Sequence, residues 1–179
     1  MEKILTQSYK SPLGELVLGV FQDRLCLCDW KFRKMRQAVD ERLKKGLNAE
    51  MEEGSHPVLE QTISQLDEFF TGKRKDFSIP LLTVGTDFQK SVWDSLLAIP
   101  FGETRSYLQL SQDLGNPDAI RAVASANGAN AISILIPCHR IIGSDGSLVG
   151  YAGGLDAKKK LLKLEGAKSA QPQGQIPLF

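Results

Sequence analysis

Arg105-Ser106-Tyr107-Leu108-Gln109-Leu110-Ser111-Gln112-Asp113-Leu114-Gly115-Asn116-Pro117-Asp118-Ala119-Ile120-Arg121-Ala122-Val123 decides the architecture of the second half of the chain. Ser106-x-x-Gln109 has the form of a capping box, in which each side chain satisfies the other residue's backbone N–H at a helix start. Tyr107, Leu110 and Leu114 then recur at helical spacing, and Gly115 is a stop. Asn116 and Pro117 restart the chain, Asn as cap and Pro in the first helical turn. Ala119, Ala122, Val123 and Ala126 mark the buried stripe of the next helix. Two short helices joined by a Gly-Asn-Pro turn form a helix-turn-helix pattern. The open face of the second helix carries Arg121 among Ala124, Ser125 and Gly128, small residues that let a helix approach another backbone closely.

Working outward, Thr86-x-x-Gln89 is another capping-box pattern, and Phe88, Val92 and Leu96 predict a helix ending near Ala98. Ile99-Pro100-Phe101-Gly102 reads as a turn. The first third is strand-like. Lys3–Tyr9, Glu15–Phe21 and Arg24–Trp30 are short apolar runs parted by turn residues, so a hairpin or meander is expected. Helices are predicted over Met35–Gly46 and His56–Thr71, the latter with Pro57 in its first turn and Gly72 after it. Asp76–Val84 reads as extended. Downstream, the apolar run Ile132–Ile136 predicts a strand leading into Pro137-Cys138-His139-Arg140. Asp156 is the expected cap of a last helix, Ala157–Glu165, closed by Gly166. The parsing is therefore 1–85, a sheet domain of α/β or α+β type; 86–166, a helical domain; and 167–179, a polar tail expected to be disordered.

Composition narrows the class. With 179 residues, 42% of them hydrophobic and 24% charged, the chain is neither collagen-like nor disordered. A net charge of +1 gives no bulk argument for nucleic acid, so that argument rests on local motifs. Three cysteines, an odd count, argue against a disulfide framework and fit a reducing cytoplasm. No apolar run reaches the roughly 20 residues that span a bilayer. The basic runs Lys31–Arg36, Lys73-Arg74-Lys75 and Lys158-Lys159-Lys160 read as solvated surface, with the last close enough to the reactive segment to touch phosphate.

Cys138 beside His139 invites a nucleophile hypothesis. A thiolate is the reactive species, and it needs a base, a cation or a helix N-terminus to form at neutral pH. His139 and Arg140 are the nearby groups, but neighbours in sequence often point apart, so a structural Cys-His pair stays open at this level.

Ile136-Pro137-Cys138-His139-Arg140-Ile141-Ile142 is similar to the active-site signature of the O6-alkylguanine-DNA alkyltransferases. The likeness runs from Thr86 to Gly166. It takes in Arg105-Ser106-Tyr107, Gly115-Asn116-Pro117, Ala126-Asn127-Gly128-Ala129-Asn130 and Gly150-Tyr151-Ala152-Gly153-Gly154, and it is nearest to the stand-alone bacterial enzymes. Residues 1–85 match only in length and strand order, which implies a ribonuclease-H-like sheet. The resemblance implies minor-groove binding to duplex DNA and flipping of the damaged base. In that scheme Arg121 fills the vacated stack, Tyr107 presses on the adjoining phosphate, and Ala122, Ser125 and Asn116 complete the DNA-contacting set. Cys138 becomes the acceptor of the alkyl group, irreversibly and once per molecule, from O6-alkylguanine or O4-alkylthymine. Glu165 orients His139, which takes the thiol proton through a water. Tyr151 donates to the leaving base, and Asn130 braces the active-site turn.

Two positions depart from some relatives: Ala152 in place of serine, and Ser133 in place of proline. Both bear on tolerance for bulky alkyl groups. Some relatives hold zinc in the first domain, but Cys26, Cys28 and His56 cannot complete a four-ligand set once His139 is used for catalysis, so no metal and no cofactor are expected. The terminal Gln175-Ile176-Pro177-Leu178-Phe179 resembles short peptides that dock on bacterial sliding clamps. The chain is expected to be a cytoplasmic monomer. Competing readings are a non-enzymatic damage sensor on the same fold, a Cys-His hydrolase and a helix-turn-helix transcription factor.

Overall fold

The computed structural model describes residues 2–167. The chain separates into two compact units. Among the described residues, the first comprises those up to Thr86 together with Ala131–Leu135, and the second comprises Asp87–Asn130 and those from Ile136 to Ala167.

The first unit is built on a meander, as the alternating pattern requires. Strands β1 (Glu2–Ser11), β2 (Gly14–Phe21) and β3 (Arg24–Trp30) pair antiparallel in sequence order. Helix α1 (Arg36–Leu47) then carries the chain across to β4 (Ala49–Glu53), which lies parallel to β1 and gives the order β3-β2-β1-β4. The sequence pattern misses β4. In Ala-Glu-Met-Glu-Glu only Ala49 and Met51 face the core, too short an alternation to stand out, and the three glutamates suit a sheet edge, where charged residues discourage further pairing. Helix α2 (Pro57–Phe70) buries Leu59, Leu66 and Phe69. His56 is its cap, with Nδ1 accepting from the Val58 N–H at 3.0 Å.

Two expectations in this unit need correction, and a third is only bounded: Asp76–Val84 is not helical, but it adds no strand to the sheet. Leu25 N donates to Pro80 O and Leu82 N to Leu25 O, both at 2.8 Å, and pairing stops at that single bridge because proline lacks an N–H. Ile132–Ile136 is not a strand either. Ile132 makes one parallel bridge to Cys28, and Ile134 then turns the chain at φ +74°, a left-handed conformation that costs a β-branched residue about 1–3 kcal/mol. Nor is the basic run Lys31–Arg36 all solvated. Arg33 and Arg36 reach the fully buried Asp29 at 3.2 and 3.1 Å.

The second unit is helical. Helix α3 (Asp87–Leu97) buries Val92, Trp93 and Leu96, and Trp93 Nε1 donates to Ala126 O at 2.9 Å. A two-residue strand β5 (Arg105–Ser106) leads into α4 (Tyr107–Asp113). The capping box forms as expected: Gln109 N donates to Ser106 Oγ at 3.0 Å, and Ser106 N donates to Gln109 Oε1 at 2.9 Å. Gly115 ends the turn at φ +77°.

The next helix, α5, spans Ile120–Gly128 and starts later than the Asn-Pro signal implies. Asn116 and Pro117 lie in a turn in which Ala119 N donates to Asn116 O at 3.1 Å, and Ala119 caps without a side-chain bond. The Asn-Pro pair is consumed in reversing the chain. Val123 and Ala126 are buried as expected, but Ala122 is exposed and Ala119 half-buried, so the stripe is narrower than its spacing suggests.

Past the cysteine segment, β6 (Ile141–Ile142) pairs parallel with β5. Helix α6 (Leu155–Leu164) is capped by Gly154, not Asp156, which sits in the first turn and pairs with Lys160 at 3.0 Å. Ala167, expected to open the tail, is buried with Ile142 and Leu162. The rest of the tail, Gln175–Phe179 included, lies outside the described residues. Among the described residues no helix is long and apolar enough to cross a membrane.

Candidate active site

Pro137 ends the irregular segment, and Cys138–Arg140 forms a single 3-10 turn. Cys138 thus stands at the first position of a tight turn and not at a strand end. Its N–H donates to Ile136 O at 2.8 Å, and Asn130 Nδ2 donates to the same carbonyl at 2.9 Å. The asparagine therefore fixes the turn from within the same unit. Cys138 is buried, with 3% of its surface exposed.

His139 and Glu165, 26 residues apart, meet in the core. His139 Nε2 lies 2.8 Å from Glu165 Oε2, and both side chains are wholly buried. Glu165 is placed by the end of α6, where it is the C-cap, with Gly166 following at φ +68°. Arg140 holds the same carboxylate: Nε reaches Oε1 and Nη2 reaches Oε2, each at 2.9 Å.

Burial alone pushes the Glu165 carboxyl up. The hydrogen bond from His139, with the hydrogen bonds and charge of Arg140, overcomes burial and holds it at about 2. Burial pushes His139 down, and the opposing pull of Glu165 does not restore it. The consistent state is an ionised Glu165 with a neutral imidazole. Nε2 then carries the proton toward the carboxylate, and Nδ1 holds the basic lone pair. Nδ1 is itself buried and has no hydrogen-bond partner among the described residues.

Other expected residues converge here. The Tyr151 ring packs edge-on to His139, with centroids 6.4 Å apart. Burial, then the negative charge of the Cys138 thiolate, raises the Tyr107 phenol, and this places that phenol within electrostatic reach of the cysteine. Asn116, Arg121, Ala122 and Ser125 do not join this cluster. They are exposed on α5 and the turn before it.

The cluster contains two groups that the motif reading did not place. Arg140 is a clamp on Glu165 and does not act directly on the thiol. Lys158 is not solvated surface but fully buried, and its ammonium donates to the carbonyls of Ile141 at 2.5 Å, Val149 at 2.8 Å and Gly150 at 3.2 Å. Burial pulls its pKa down to about 8. It ties the glycine-rich wall around Tyr151 to the strand that follows Cys138. Helical spacing carried that signal, since Lys158 shares a face of α6 with Leu161, Leu162 and Glu165.

The other two cysteines differ in kind. Burial pushes the Cys26 thiol up to about 12 and raises Cys28 as well, so both are inert. No cluster of three or more His, Cys, Asp or Glu residues suited to a metal occurs among the described residues.

A buried cysteine beside a histidine whose Nε2 meets a clamped carboxylate, in the same unit as α4 and α5, is the makeup of a cysteine-nucleophile site. Family models extend this reading over both units. Residues 87–167 match the 6-O-methylguanine DNA methyltransferase DNA binding domain, and residues 4–83 match the ribonuclease-like domain of the same family. A methylated-DNA–protein-cysteine methyltransferase of Methanosarcina acetivorans is 42% identical over 159 residues, covering 89% of this chain and 96% of its own. The constitutive enzyme of that name from Bacillus subtilis is 41% identical over 157 residues, with 87% and 92% covered. A crystal structure of the Mycobacterium tuberculosis protein in complex with DNA superposes with a TM-score of 0.78 at 36% identity, covering 92% of this chain and 94% of that one. The chain belongs to the 6-O-methylguanine DNA methyltransferase family.

Proposed function

We propose that this chain repairs alkylated DNA by moving the alkyl group from O6 of guanine, or O4 of thymine, onto its own Cys138. The observation that carries this reading is the buried Glu165–His139 pair, 2.8 Å apart, directly beside the one cysteine seated on a braced turn. The thiol proton passes to His139 Nδ1 through a water. The thiolate sulfur attacks the alkyl carbon in line, forming an S–C bond while the C–O6 bond breaks. Guanine leaves with the electron pair, and a hydrogen bond from the Tyr151 hydroxyl stabilises the charge on it. The thioether is stable, so each molecule acts once. One chain holds the cysteine, the histidine and the carboxylate, so the proposed reaction needs no second subunit. Three free thiols favour the cytoplasm.

Access to the base requires taking it out of the stack, at a cost of a few kcal/mol. Exposed Arg121 on α5 fills the gap, Tyr107 presses on the neighbouring phosphate, and Asn116, Ala122 and Ser125 line the helix face that meets DNA. Arg121→Ala is expected to slow repair of a duplex O6-methylguanine about 100-fold, the equivalent of about 2.7 kcal/mol. A single strand has no stack to refill and should change little. Quench-flow rates on both substrates test this reading, and an equal loss on the two would sink the flipping role.

A second proposal concerns Gln175–Phe179, outside the described residues. Its two terminal apolar side chains suit a groove on a sliding clamp. Deleting these five residues should abolish binding to purified clamp and leave alkyl transfer intact. Unchanged clamp binding by the truncated chain would reject the idea.

A further inference from the structure

We propose that Arg140 is a positioning residue for the acceptor cysteine: by sharing the Glu165 carboxylate with His139, it holds the imidazole neutral at rest, with Nδ1 as the proton acceptor. This rests on the reading of Cys138 as the acceptor.

The geometry is fully constrained. Glu165 Oε2 accepts from His139 Nε2 at 2.8 Å and from Arg140 Nη2 at 2.9 Å, while Oε1 accepts from Arg140 Nε at 2.9 Å. The third guanidinium nitrogen, Nη1, donates to Ile99 O at 2.6 Å, and the guanidinium lies over the Phe101 ring. Every nitrogen of the fork is thus used, and a lysine could not reproduce this.

The charge count follows from this geometry. The site holds one carboxylate and one permanent cation, already paired. A proton on His139 would add a second cation against the same oxygen, on a wholly buried side chain. The other groups that face the imidazole do not relieve this. Lys158, from α6, is a further cation that acts on the imidazole in the same sense as Arg140, and the Tyr151 ring meets the imidazole edge-on. Without Arg140, the whole charge of Glu165 would favour the imidazolium. A protonated His139 is a donor at both nitrogens and cannot accept the thiol proton.

The test is an NMR pH titration of the His139 imidazole in the full chain carrying Cys138→Ala, which removes the thiol and any alkylation. The titration midpoint should lie below the ordinary value of about 6.5, or not be reached before acid unfolding. Arg140→Met should raise it by about one unit or more, the usual size of a close like-charge effect. Arg140→Lys, with the charge kept and the fork lost, should stay nearer the parent.

A parent midpoint at or above about 6.5 overturns the proposal without any variant. So does a folded Arg140→Met protein with an unmoved midpoint. A merely structural role, tying Ile99 to the core, would lower the melting temperature of both variants and leave the midpoint where it was. Failure of the acceptor reading shows separately, as a native chain that takes no alkyl group on Cys138.

Discussion

Glu165→Gln should destabilise the protein by about 3–5 kcal/mol, the usual cost of stripping a buried ion pair of one partner. For a chain of this length that is a fall in melting temperature of about 10 °C. Alkyl transfer should slow by about 10²–10⁴-fold. Size is conserved, so the effect is electrostatic. Glu165 accepts hydrogen bonds from His139 and twice from Arg140. A glutamine offers one acceptor oxygen and turns an NH2 group toward one of those donors. The guanidinium is then left buried without its counter-charge, and the imidazole loses the partner that fixes its tautomer. Calorimetry and single-turnover kinetics on the same preparation read both effects. A variant as stable as the parent would contradict the buried charge pairing described above.

The same cluster sets the acid sensitivity. Glu165 is held at about 2 in the folded protein, below its ordinary value, so the unfolded chain binds its proton first as pH falls. Its contribution, on the order of 3 kcal/mol, is complete above about pH 4.5 and is lost as pH falls toward 2. His139 acts in the same direction. Its folded value is lowered, so the unfolded chain also takes up that proton first, and stability declines once pH drops below about 6.5. In Glu165→Gln the lower of these two steps should vanish from a plot of urea midpoint against pH.

The parts of the fold that obey local rules were legible in the sequence. The meander strands, α2 and the Ser106/Gln109 capping box depend on alternation, helical period and cap chemistry within a few residues. The misses are tertiary. The alternation of Ala49 and Met51 with glutamates is too short to mark Ala49–Glu53 as a strand by itself, and its partner β1 lies more than 40 residues earlier. Ile132–Ile136 is apolar because it is buried, not because it is extended, and composition cannot separate those causes. At the site, the resemblance gave Glu165 as the partner of His139, and the two do meet, but neither it nor the Cys-His-Arg motif gave Arg140 as a second partner of that carboxylate. Only the fold brings Glu165 to both His139 and Arg140, and it turns Lys158 from an apparent surface charge into a buried donor to three carbonyls. Lys158 misled because lysine is almost never fully buried unless its ammonium is satisfied.

In the proposed reaction Cys138 accepts the alkyl group and receives it once. The most direct test is the intact mass of the full chain after incubation with excess duplex containing one O6-methylguanine, followed by peptide mapping. The chemistry described here predicts one added methyl group per molecule, located on Cys138, no further gain with time, and no gain in Cys138→Ala. Repair that continues past one lesion per molecule would contradict it, and so would a methyl group on another residue. An unchanged mass with tight binding to the damaged duplex would contradict it as well and would identify the chain as a sensor of damage.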